Sequence, residues 1–159
     1  MKHIKWYLLA LLLVVVDQLT KLLVAGYLKP YDSFEISSFL SLTHVHNYGA
    51  AFSFLASEDG WQQYLLVSIS TVASLILIVW MSKTSHLQFA KLAALSLILS
   101  GAVGNLIDRA VSGFVIDFID LHYQGFYWPV FNVADITIAI GVILLILTDF
   151  KDGKRSTNE

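Results

Sequence analysis

Four long apolar segments, separated by stretches in which polar and apolar residues alternate or charges gather, set the plan of this 159-residue chain. Residues 4–28 begin beside Lys2 and Lys5 and hold an uncharged run from Trp6 to Val16, and residues 60–82 carry no charge at all. Two further segments, 88–109 and 126–150, are equally apolar over most of their length. Each reaches the ~20 residues that carry a helix across a bilayer. Residues 29–59 are different: Pro30, Asp32, Glu35, Glu58 and Asp59 interrupt them, while 34–36 and 40–46 alternate apolar with polar, the period of half-buried strands. The expected architecture is an all-α membrane protein of one domain, 1–159, with four transmembrane helices and a small extended or β cradle on one face.

Composition agrees, with 57% hydrophobic residues. A cleavable leader is the competing reading of the first segment, and Asp17 and Lys21 argue against it by breaking the apolar middle one helical turn apart. The formal net charge of -2 comes without any basic stripe, so nucleic acid is not an expected partner. The absence of cysteine excludes disulfides, thiol nucleophiles and thiolate metal sites. With an even number of spans both termini share a side. Lys2, Lys5, Lys83, Lys91, Lys151, Lys154 and Arg155 fall there, and only Lys21, Lys29 and Arg109 fall towards the other. The positive-inside rule therefore predicts cytoplasmic termini, with the cradle facing outward.

Residues 104–135 then stand out, because they bring Asn105, Asp108, Arg109, Asp117, Asp120, Asn132 and Asp135 between two apolar segments. Ionisable groups at membrane depth are expensive and mark functional sites. Asp117 and Asp135 flank adjacent helix ends at similar depth, and two close carboxylates that share one proton can activate water and protonate a leaving amine. The plainer alternatives are a solvated loop carboxylate at 117 and, at 135, a capping box begun by Asn132. If Asn132 does cap a helix, the helix end favours charge on Asp135, while Asp117 lacks such support and holds the proton. Asn105, Asp108 and Arg109 share a helix face, either to hold a substrate or, for Asp108 and Arg109, as a structural ion pair. His44 and His46 lie on one strand face without a third obvious ligand, so no metal site is expected. Lys21 has no serine partner that would make a Ser–Lys protease. A small transporter or proton channel is the alternative class.

Asp17 with Lys21, the block Asn47-Tyr48-Gly49-Ala50-Ala51-Phe52, Gly104-Asn105-Leu106-Ile107-Asp108-Arg109, Val115-Ile116-Asp117-Phe118 and Phe131-Asn132-Val133-Ala134-Asp135 together closely resemble the bacterial lipoprotein signal peptidases, signal peptidase II. The resemblance runs over nearly the whole chain in the same order. It implies an aspartic endopeptidase of the bacterial inner membrane that cuts diacylglyceryl-modified prolipoproteins just before the lipidated cysteine. By this resemblance Asp117 and Asp135 are the catalytic pair, and Asn47, Asn105, Arg109 and Asn132 orient substrate or dyad. Asp17, Lys21 and Asp108 are supporting polar residues. No metal or organic cofactor is implied; the expected partners are the lipidated substrates and membrane lipids, and the chain is expected to act as a monomer.

Overall fold

The computed structural model describes residues 3–49 and 60–156; the Ala50-Ala51-Phe52 end of one motif and the remainder of the expected cradle to residue 59 lie outside the described residues. The chain runs α1 (Ile4–Tyr27), β1 (Ser33–Ser37), β2 (Leu40–Asn47), α2 (Trp61–Lys83), α3 (Phe89–Ser112), β3 (Val115–Tyr123), β4 (Phe126–Tyr127) and α4 (Val133–Ser156). All four helices are long and apolar enough to cross a membrane. The strands form one antiparallel sheet in sequence order.

Helix α3 is the axis of the bundle and packs against each of the other three. Lipid tails are as apolar as leucine, so burying leucines between helices yields little drive for association, and close contact of small residues matters more. Ser96, Ser100 and Gly104, four apart along α3, are all buried, and each serine hydroxyl returns to its own helix backbone. Gly104 is small for a reason: a Cβ there would stand 2.6 Å from Oδ2 of Asp17. An apolar cluster of Ala10, Leu77, Met81, Leu92, Leu95 and Leu99 closes the end of the bundle nearer the termini. Leucines and isoleucines on the outer flanks of α1, α2 and α4 remain exposed, as lipid-facing side chains should.

The largest departure from the expected boundaries is at α4. Residues 126–132 read as part of an apolar span, yet Phe126 and Tyr127 pair with β3, and Phe131 exchanges backbone bonds with Ile119. Phe126, Tyr127, Trp128 and Phe131 spend backbone groups on the sheet, and the helix starts only at Val133. Residues 115–123, expected as a connection, form the longest strand of the sheet, opposite β2, with Val45 against Asp117 and Asn47 against Val115. Gly113 makes the sharp exit from α3 possible, at φ 79°, its N–H closing on Arg109 O.

Candidate active site

Two backbone arrangements bring the acidic residues together. Strand β3 carries Asp117 back over the bundle, and the segment before α4 runs antiparallel beside it, held by Phe118 and Ile119 N–H groups on Phe131 O at 3.0 and 2.8 Å. Asn132, the next residue, therefore lies between Asp117 and the first turn of α4. Its Nδ2 donates to Asp117 Oδ1 at 2.6 Å, its own N–H donates to Asp135 Oδ2 at 3.2 Å, and its Oδ1 accepts the Asp135 N–H at 3.0 Å. The last two bonds are a reciprocal capping box. Capping and proximity to Asp117 thus coexist at Asp135.

Three asparagines serve the two carboxylates, and their amide orientations follow from donor-only neighbours. Asn47 Oδ1 accepts the Gly49 N–H, which turns its Nδ2 to Asp117 Oδ2 at 2.8 Å. Asn105 Oδ1 accepts from Lys21 Nζ at 2.9 Å and from Asn132 Nδ2 at 3.3 Å, so its Nδ2 faces Asp135 Oδ1 at 2.9 Å. Asp117 consequently receives two amide donors, and the expectation that it lacks support is corrected. Those bonds oppose its burial without cancelling it: desolvation first, and then the nearby charge of Asp135, push Asp117 up to about 6.

Beneath this layer lies a buried ion cluster. Lys21 Nζ contacts Asp17 Oδ2 at 2.8 Å and Asp108 Oδ2 at 2.7 Å, with all three side chains almost fully buried. Asp17 also accepts the Ala134 N–H at 2.9 Å, placing an anion at the start of α4. The expected alternative of an Asp108–Arg109 pair does not occur, because successive helix residues point in different directions and Asp108 turns to Lys21. Arg109 instead reaches Gly49 O at 2.9 Å and its own turn at Asn105 O at 3.4 Å, holding the end of β2 against α3. Gln18 is a residue that the sequence reading passed over: its amide donates to Asp108 Oδ1 at 2.9 Å and Gly104 O at 3.1 Å. A lone amide beside Asp17 in an otherwise apolar helix was the available signal.

Asp117, Asp135, Asn47, Asn105 and Arg109 line one end of a cavity of about 490 Å³. The rest is apolar, from Trp128, Val130 and Phe131 of the segment before α4 to Ile136, Ala139 and Ile140 of the helix itself. Ile140 is half exposed on the outer flank of α4, so the cavity extends from the carboxylates to the lipid-facing side. Its geometry suits an extended chain whose reacting bond lies at the carboxylates and whose apolar part lies along α4.

Comparisons with known proteins point one way. A family model described as signal peptidase (SPase) II matches residues 9–151. The chain is 45% identical over 151 residues to a lipoprotein signal peptidase of Pseudoalteromonas atlantica, covering 95% of this chain and 92% of that one. It is 45% identical over 145 residues to a lipoprotein signal peptidase of Actinobacillus succinogenes, covering 91% and 89%. A bacterial membrane enzyme solved by the in meso method superposes with a TM-score of 0.85 at 36% identity, over 95% of this chain and 90% of that one.

Proposed function

The chain belongs to the signal peptidase II family, and from that premise we infer that it removes signal peptides from prolipoproteins by aspartic catalysis, with Asp117 and Asp135 as the dyad. The observation that carries the catalytic assignment is Asn132, hydrogen-bonded to both carboxylates at the polar end of the cavity. In this mechanism Asp135, in the first turn of α4, holds the negative charge and draws a proton from water. Asp117, whose burial favours the neutral form, polarises the scissile carbonyl and then protonates the leaving amine. Asn47, Asn105 and Asn132 fix the two carboxyl groups. The apolar cavity wall favours a substrate that enters sideways from the bilayer, which fits cleavage just before a diacylglyceryl-modified cysteine. A transporter is not favoured, because the buried charged groups gather at one end of the bundle and α2 has no charged residue before Lys83.

Purified protein mixed with a lipobox peptide, with and without the diacylglyceryl group, tests this by the mass of the products. Cleavage immediately before the cysteine in the lipidated peptide is expected. Equal turnover of the unlipidated peptide would refute the lipid requirement, and no cleavage of either would refute the activity.

The division of roles predicts a shift in pH dependence. Asn47 donates to the charged form of Asp117, so Asn47→Ala disfavours ionisation and raises the upper macroscopic pKa of the coupled pair. The alkaline limb of the kcat/KM profile should move up by about one unit, the order expected for one hydrogen bond to a charged group. An unmoved limb in an active variant would remove Asp117 as the proton carrier.

The orientation proposed from the basic residues has cytoplasmic termini and an outer cradle. A cysteine at Ser33, exposed in β1, should react with an impermeant maleimide added to intact spheroplasts, and one at Ser85, exposed between α2 and α3, should not. The reverse pattern would invert the topology.

A further inference from the structure

His44 and His46 take no part in the chemistry above, yet they are closely arranged. Their Nε2 atoms are 3.1 Å apart. His44 is buried, and its Nδ1 lies 2.8 Å from Leu28 O. A carbonyl oxygen only accepts, so Nδ1 of His44 bears the proton and the neutral ring presents the Nε2 lone pair to His46. The His46 ring is held as well: it stacks on Phe114 at 3.8 Å and 18°, with Tyr48 and Tyr31 beside it.

Two imidazole nitrogens at ordinary bond length from one tetrahedral zinc ion stand about 3.3 Å apart. The observed gap is within a few tenths of an ångström of that. A ring that ligates through one nitrogen while donating the other N–H to a backbone carbonyl is the usual outer support of a metal-binding histidine, and His44 already has that carbonyl. We propose that His44 and His46 form a site for a divalent transition-metal ion of the zinc or copper class, bound through both Nε2 atoms and completed by water. Binding requires only that neutral His46 move its ring proton from Nε2 to Nδ1, with no net proton lost. Among the described residues no group of three His, Cys, Asp or Glu is placed to hold a metal, so the remaining coordination positions are assigned to water. Divalent copper, which stands above zinc in the affinity order for nitrogen ligands, should bind more tightly than zinc, and magnesium, which prefers oxygen ligands, should not bind.

Titration calorimetry of the tag-free, metal-stripped chain in detergent micelles with zinc chloride tests the site. One saturable ion per chain is expected, with unchanged affinity in Asp117→Asn, at least tenfold weaker binding in His46→Gln, and binding retained in His46→Cys, whose thiolate supplies the missing donor. Thermal unfolding checks that each variant is folded. No saturable binding, parental affinity in His46→Gln, failure of His46→Cys to bind, or loss of binding in Asp117→Asn, which would put the ion at the dyad, would each overturn the proposal.

Discussion

Asp117→Asn and Asp135→Asn should each lower the cleavage rate of a lipidated lipobox peptide by about 10³-fold or more, the scale of a lost acid–base partner in a site without a substitute. With both changed the loss should be little larger, because a dyad works as a unit. Each variant should still fold, since asparagine keeps an oxygen for at least one of the amide donors now serving the carboxylate. Asp117→Asn offers an independent check through stability. Because Asp117 is raised to about 6 in the folded protein, the fold holds this proton more tightly than the unfolded chain does. The resulting stability is fully present below the ordinary carboxylate range and is lost as pH rises through about 6. The uncharged variant lacks that loss, so its melting temperature should vary less between pH 4 and 7 than that of the parent. Turnover near the parental rate by either single variant would remove the dyad, whatever the melting curves show.

How much of this was legible in the sequence depended on the range of the interactions. Helices α1 to α3 could be read within a few residues, because an unbroken apolar run long enough to span has few other uses. Strand β3 could not. Val115 to Tyr123 follows a helix closely, and what makes it a strand is pairing with β2, some 70 residues earlier, which no local pattern reveals. The late start of α4 has the same origin, for an aromatic stretch suited to a membrane interface is also suited to a sheet edge. In the site, Asn132 as helix cap was readable because cap and partner are three residues apart. The support of Asp117 by Asn47 was implied only through the family resemblance and by no local pattern, since it crosses from β2 to β3. Asp17 with Lys21 was readable as a one-turn pair, but its extension to Asp108 requires α1 and α3 to lie side by side.

That extension makes Lys21→Met the substitution with the largest expected effect on stability. One ammonium serves two carboxylates, and the cluster keeps a net negative charge that Gln18 and the Ala134 N–H at the start of α4 help to balance. Without Lys21, Asp17 and Asp108 remain buried with no cation between them. Removing one member of a buried ion pair costs about 3–5 kcal/mol. The same change removes the shorter of the two donors to Asn105 Oδ1 that turn its Nδ2 towards Asp135, leaving only Asn132 Nδ2 at 3.3 Å, so whatever protein folds should also show a reduced kcat. Adding Asp17→Asn and Asp108→Asn to Lys21→Met removes the stranded charges while leaving an oxygen to accept the Ala134 N–H, and most of the stability should return. Activity should not return with it, because Asn105 still lacks its ammonium partner. Unfolding in detergent micelles, measured for the single and the triple variant, separates the two effects. A single variant within about 1 kcal/mol of the parent would mean that the cluster is hydrated and contributes no more than an ordinary surface ion pair.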